Sequence, residues 1–559
     1  MSIKILFGLF LLFFAIITPA QTTTETLQTY STIKSIGIEW NIAGDTNHNA
    51  QCLVQYRVNG TSTWLDAQPL FRVDFQSYDM LAGSILFLNE NTEYQIKLEF
   101  SDLDGGNETR IETISTKPVP ILPTNGNTYH VITGTGGGDG SQANPFQGIT
   151  TAQNIAQAGD VFLLHAGDYG TNGQVLFAQA GEENNHIVWK SAGDGDVIFN
   201  QVRIEADYIW LEELNFIYAD GNDYGLRTSN APLGVVITKN NFNNCHYCIY
   251  LNNGGENWYI TDNIIIGDND PNDGSNFSGE GIELARTSGH TVAYNKISWV
   301  ADGISYPRNN VDIYGNDIFA TSDDGIEADY GHNNIRIWGN RISNPNNNGI
   351  SFQPMNGAPW YVLYNQVAAP GEGVLKLRDR TDRVLLAHNT LVAWSGPIGS
   401  GSGLMQSFQS HNNLWISMQD RYIWETNGGN IHWRTNWSHD GYDWGNYPFA
   451  FKWQGARLAT ILDFQNFTGQ GVNSIQIDKN TCFETFNIPN PPPAMIEFQH
   501  MTLNASCNAV DAGMSLANIN DEFSGSAADL GAYELNQQLP QYGPRTATKL
   551  DLLFANSFE

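Results

Sequence analysis

GEGIE (279–283), ADGIS (301–305), DDGIE (323–327), NNGIS (347–351) and GEGVLK (371–376) repeat one phrase, with the glycine before Ile or Val at 281, 303, 325, 349 and 373. The steps are 22, 22, 24 and 24 residues. Asparagine recurs in time with it, at Asn295, Asn316, Asn340, Asn365, Asn389 and Asn413. Two phrases locked at a period of 20–30 residues mark stacked structural units, each burying its apolar side on its neighbours. Glycine permits the turn and Ile points into the stack. Asparagine at one equivalent turn can pass amide hydrogen bonds from coil to coil.

Aligning the coils on the glycine sorts the remaining residues by face. The residue before it forms one column: Glu280, Asp302, Asp324, Asn348 and Glu372. The residue two after it forms a second: Glu283, Ser305, Glu327 and Ser351. In the last coil one inserted residue makes Leu375 the inward side chain and brings Lys376 into that column. Side chains alternate along a strand, so Ala285, Pro307, Asp329, Gln353 and Arg378 share the outward face. Arg286, Tyr306, Arg308, Arg380 and Arg383 lie at its margin. An acidic patch thus stands a few coils from a basic one, in a chain with only 27 basic residues.

Two chemistries fit these residues. In a lyase, Glu283, Glu327 and Asp329 hold a calcium ion that neutralises a uronate carboxylate. Lys376, or Arg378, with a pKa lowered by cationic neighbours, then removes the adjacent proton and the glycosidic oxygen leaves by β-elimination. In a hydrolase, two carboxylates among Glu283, Asp324, Glu327 and Asp329 flank the bond as acid and base or nucleophile. Tyr306, Arg308, Gln353, Trp360 and Arg380 are the expected sugar contacts. Against both readings stands the expectation that outward carboxylates are merely solvated, with Asp302 and Asp324 capping backbone amides. His332 and His388 suit packing as well as catalysis.

Residues 1–20, with Lys4, an apolar run and Thr18-Pro19-Ala20, read as a secretory signal. Residues 22–118 alternate in short runs such as IGIEW (36–40) and TEYQIKLEF (92–100), the pattern of a small antiparallel sandwich. A Pro-rich linker occupies 119–129 and the coils run over 130–545, opening with a capping helix at 149–158. Aromatic residues crowd 415–453, where they can close the stack or stack on sugars, and 546–559 reads as a detached tail. Cys482 can pair with Cys507, and Cys245 and Cys248 suit a local disulfide or two thiols better than half a zinc site.

A net charge of −31 argues against nucleic acid as partner. No segment after the leader is apolar enough to span a bilayer. The expectation is an exported monomer whose partner is a polysaccharide.

Trp40 and the phrase Leu88, Thr92, Tyr94, Ile96, Leu98 resemble a fibronectin type III domain, which implies a spacer or binding module. The coil phrases, the opening GTGGGDGSQANPF (134–146) and the closing DLGAYE (529–534) resemble the right-handed parallel β-helix, or pectin-lyase-like, superfamily over about 130–545. That resemblance implies an all-β chain, a parallel β-helix preceded by a small sandwich. Several members degrade polysaccharides, and some lyases pair a calcium-binding acidic set with a Lys and an Arg. Glu327-Ala-Asp329 and Lys376-Leu-Arg378 are similar in type. The N-T-D, G-H-G and R-I-K set of polygalacturonases and the D-P-H-D phrase of alginate epimerases are absent.

Overall fold

The computed structural model describes residues 21–170, 173–217, 224–273, 275–285, 287–368, 371–394, 398–401, 403–488 and 500–545. The leader, the tail, Arg286 and the Pro-rich 489–493 lie outside the described residues.

The coils stack as a β-helix of three sheets, of 14, 13 and 13 strands, in which strands pair in parallel with their equivalents one coil on, except that the third sheet ends in an antiparallel pair, Phe451–Trp453 with Ala456–Leu458. The third sheet carries the Gly-Ile phrase: Glu280–Glu283, Asp302–Ser305, Ile326–Glu327, Ile350–Ser351 and Leu375–Leu377 are successive neighbours. Ile282, Ile304, Ile326, Ile350 and Leu375 are inward and inaccessible. The inserted residue of the last coil is accommodated as the alignment requires, with Leu375 opposite Ile350 and Lys376 opposite Ser351. The glycines answer to close approach between coils. A Cβ on Gly325 would lie 2.4 Å from Ile342 Cγ2 and 2.7 Å from the Gly349 carbonyl.

The asparagines form a continuous buried ladder, longer than the repeat alone suggests. Asn240, Asn263, Asn295, Asn316, Asn340, Asn365, Asn389 and Asn413 each donate from Nδ2 to the Oδ1 of the next, at 2.9–3.2 Å. Asp440 receives the last bond. In a dry interior each amide satisfies its neighbour, so no polar group in the column is left stranded.

Both ends of the stack are covered. A short helix, Ile149–Gln153, lays Ile149 and Ala152 on the first coil. Most aromatics at the other end are core: Trp415, Trp424, Trp437 and Tyr442 are inaccessible, and Trp415 stacks on Trp437 at 5.2 Å, whereas Trp433 is exposed. The helix Ile461–Thr468 closes this end with Phe464 stacked on Phe451, and a Thr460–Asp463 capping box fixes its start. Cys245–Cys248 and Cys482–Cys507 are disulfides, and Cys52 is a buried thiol.

Ahead of the β-helix, two four-stranded antiparallel sheets form a sandwich around Trp40, Tyr94 and Phe100. It is no detached spacer. Asp312 and Arg336, both inaccessible and 2.5 Å apart, lie beneath it, and Thr32 and Ser35 donate to Asp312 while Arg336 donates to Ser84. Arg383 reaches Asp74 at 2.6 Å, and Ser84 N donates to the Tyr361 hydroxyl at 2.8 Å. Two buried charges joined across a seam hold it in one arrangement, because separating them strands each without a partner.

Candidate functional site

Most carboxylates on the outward face of the Gly-Ile sheet are buried, although Glu372 is exposed. Asp324 is 0% exposed, Asp302 2%, Asp329 5%, Glu280 6% and Glu283 8%. Part of the cover is the long connection before Gly279: Asn269 donates to Ser322, Ser322 donates to the Asn276 carbonyl, and Asn346 donates to the Pro271 carbonyl. Carboxylates two residues apart along a strand edge, or one strand spacing apart across it, therefore face one another in a low dielectric. Their charged forms are penalised twice, by burial and by each other.

Lys376 stands at the centre of this group. Its Nζ donates to Asp324 Oδ2 at 3.1 Å, two coils back. The remaining oxygen of Asp324 accepts from the Asn348 backbone and side-chain amides at 3.0 and 2.8 Å. Asp302 accepts from Asp324 N at 2.9 Å, so these aspartates do cap amides, but in a buried cluster rather than at the surface. Asp329 accepts from Ser351 Oγ and from Gln353 N. Tyr306 lies close enough to Glu327 to act on its charge, while Oε2 of Glu327 and that of Glu280 are buried without a hydrogen-bond partner among the described residues.

Burial, and then the charges of Asp329 and Asp324, push Glu327 up to about 8. Burial with Glu283 and Glu327 nearby takes Glu280 to about 9. Asp329 and Asp323 are raised to about 6, chiefly by burial, and Asp302 is raised by burial and by Glu327 and Asp324. Burial pulls Lys376 down, but Asp324, Asp329 and Asp323 outweigh it and hold the ammonium above its ordinary value. This overturns the expected lowering by cationic neighbours: the groups around Lys376 are acids. Tyr306 is a firmly protonated phenol, raised by burial and by Glu327.

Beside the cluster opens a cavity of about 320 Å³ lined by Glu283, Tyr306, Arg308, Asp329, Tyr330, His332 and Asn356. Tyr78 of the sandwich hydrogen-bonds Nδ1 of His332, a residue of the cavity lining, at 2.8 Å. His332 is lowered by burial and by Arg308, so it is a neutral ring here. Asp302, Asp324 and Glu327 offer oxygens within 4.8 Å of one another, a set of hard donors suited to a divalent cation. The orphaned Glu327 oxygen supports that fit. Of the expected ligands only Glu327 belongs to this set. Asp329 and Glu283 lie instead on the cavity wall.

Other expected contacts lie elsewhere. Trp360 is inaccessible, stacked on Phe352 with its indole N–H on the His332 carbonyl, so it has no face for a sugar. Arg380 lies over the Phe75 ring at 4.2 Å and is paired with Asp382, which makes it part of the sandwich seam. Arg378 is exposed, and neither it nor Lys376 belongs to the cavity lining. Gln353 serves through its backbone N–H, its Oε1 buried with no partner among the described residues. His388 is inaccessible, accepting from Asn412 and Asn520, and is structural. Tyr306 and Arg308 do meet Glu283 and Asp329 at the cavity. Sequence reasoning missed Glu280, Tyr330, Asn356 and Tyr78. The Glu280 column was visible, but Tyr78 lies 254 residues from its partner and nothing local announces it.

The family described as a right-handed beta helix region matches residues 217–391 and 280–436. The body of this chain is a right-handed β-helix. Among solved structures, a rhamnogalacturonan lyase is similar at 14% identity and a TM-score of 0.34, covering 62% of this chain and 99% of that one. A mannuronic-acid-specific polysaccharide family 6 lyase from human gut microbiota is similar at 14% identity and a TM-score of 0.35, covering 56% of this chain and 86% of that one. Neither likeness bears on the chemistry. No curated protein matches the chain. Among the described residues no helix is long and apolar enough to cross a membrane.

Proposed function

We propose that this protein is an exported enzyme that cleaves an acidic polysaccharide by β-elimination at the cavity beside Lys376. The observation that carries the reading is one lysine held among buried carboxylates that the β-helix does not need, next to a cavity bearing Arg308 and Tyr306. Asp302, Asp324 and Glu327 are the residues that would hold a divalent cation such as calcium. When bound, such an ion neutralises a uronate carboxylate and acidifies the proton beside it.

Arg308 positions the sugar acid at the cavity mouth. Lys376 accepts the proton from the carbon bearing the carboxylate, the electron pair forms the new double bond, and the bond to the leaving glycosidic oxygen breaks. Tyr306, a protonated phenol, supplies the proton to that oxygen. Lys376 must first shed its own proton, which its tie to Asp324 opposes. Burial of Lys376, which disfavours the ammonium, acts in the opposite direction.

A second reading rests on the spread between Glu327, at about 8, and Asp329, at about 6. Two carboxyl groups with separated pKa values in one site form an acid and a base, as glycoside hydrolysis requires. Incubating the full-length protein with polyuronates and neutral glycans, with and without chelator, decides between the readings. New ultraviolet absorbance from an unsaturated uronate that Lys376→Ala abolishes supports elimination. Reducing ends without it support hydrolysis. Binding with neither product overturns both and leaves a glycan-binding protein.

A further inference from the structure

The column that carries Glu283, Glu327 and Lys376 continues beyond the acidic cluster, where it changes character. Glu283 is registered on Tyr250, Tyr250 on Arg227, and Arg227 on Arg203. Their inward neighbours Leu226 and Ile249 are inaccessible, so these side chains share the outward face of the same sheet. Four strand spacings separate Arg227 from Glu327, roughly 19 Å along the stack.

Arg203 and Arg227 are like charges on adjacent strands, an arrangement that disfavours itself without an anion between or above them. Arg203 has Glu205 at 2.7 Å. Among the described residues no carboxylate pairs with Arg227, whose NH2 meets only the Gln174 amide oxygen at 3.4 Å. The Nε atoms of both arginines are buried and find no hydrogen-bond partner among the described residues. The Arg227 guanidinium lies over the Tyr224 ring at 4.3 Å, so its plane is held by stacking while its edge stays available. Tyr224 stacks with Tyr250 at 6.4 Å and Tyr250 with Tyr247 at 4.7 Å, making a tyrosine platform at the same level.

A planar cation beside an aromatic platform suits a sugar ring bearing a carboxylate: the ring lies on tyrosine and the carboxylate takes the fork of Arg227 in two hydrogen bonds. We propose that Arg203, Arg227, Tyr224 and Tyr250 form a distal subsite for a uronate unit of the same chain whose bond is broken near Lys376. The proposal rests on the reading of the site as one for acidic polysaccharide. It implies that the enzyme grips long chains along the coil axis and handles short ones poorly.

The test uses the full-length protein and its Arg227→Ala, Arg227→Lys and Tyr250→Ala variants, each checked for an unchanged melting temperature. Their kcat/KM is measured on a long polyuronate and on a trisaccharide from it, and retention is measured in gels containing polyuronate or a sulfated neutral glycan. The expected result for Arg227→Ala is a fall of about tenfold in the ratio of long-chain to trisaccharide kcat/KM, with lost retention by polyuronate. Arg227→Lys should recover part of both. An unchanged ratio with retention intact overturns the subsite while the catalytic reading stands. Retention by the sulfated glycan alone, lost in Arg227→Ala, overturns the carboxylate assignment. If native protein binds no polyuronate, the subsite falls together with the reading of the active site. If polyuronate is bound but never cleaved, loss of retention in Arg227→Ala supports the subsite alone.

Discussion

Replacing Lys376 with methionine removes the one ammonium among the carboxylates and keeps most of the side-chain volume. Its Nζ lies 3.1 Å from Asp324 Oδ2, with the two side chains 14% and 0% exposed. At an effective dielectric of about 20 that attraction is roughly 5 kcal/mol. Breaking a buried pair from one side typically costs about 3–5 kcal/mol, because the other charge stays behind unpaired. A destabilisation of that size is expected at pH 8 in chelator. It should shrink on acidification. Asp323, Asp329 and Glu327 have folded values raised to about 6, 6 and 8. Groups raised on folding stabilise below their unfolded values and lose that contribution as pH climbs through the folded ones. Without Lys376 the folded values of these three groups rise further, so at pH 5 they are largely protonated and the lysine has fewer charges to compensate than at pH 8. Urea unfolding of native protein and Lys376→Met at pH 5 and pH 8 measures this directly. A penalty below about 1 kcal/mol at pH 8, or one equal at both pH values, would refute the electrostatic account of the cluster, whatever the variant does to activity.

Chelator at pH 8 should lower the melting temperature and abolish turnover. Calcium at about a hundredfold over its Kd should restore roughly 2.7 kcal/mol, and Glu327→Gln should lose most of that response. Tyr78→Phe removes only the hydroxyl that holds His332 at 2.8 Å. Stability should fall by about 1 kcal/mol, and turnover should fall several-fold because the ring on the cavity wall is released; steady-state kinetics beside a urea melt separates the two. Arg336→Met leaves Asp312 buried and unpaired beneath the sandwich, so a loss of about 3–5 kcal/mol is expected, largely recovered in Arg336→Met/Asp312→Leu. Limited proteolysis should then release residues 22–118 from the single variant first.

What the sequence disclosed and what it withheld divide along a physical line. The period, the inward isoleucines, the asparagine ladder and the inserted residue before Lys376 follow from short-range rules, since a coil's neighbour in space is the next coil in sequence. The column that holds Glu283, Glu327 and Lys376 was legible for the same reason. Its burial was not. Whether an outward carboxylate is solvated depends on what lies over the sheet, and here part of that cover is a long connection that obeys no repeat. The carboxylates gathered around Lys376 in turn reversed its expected pKa shift, and the arginines that were to depress it serve other partners, with Arg380 and Arg383 drawn to Phe75 and Asp74 across the seam. Trp360 failed in the same way, because a tryptophan after a proline in a loop looks exposed until the core closes around it. The coils before Gly279 show the converse. Arg203, Arg227 and Tyr250 continue the column of Glu283, Glu327 and Lys376 but lack the Gly-Ile phrase, so only strand pairing, not the motif, could place them on it. In a β-helix the motif marks where the coils are most alike, and binding residues are found by following the register past the point where the motif ends.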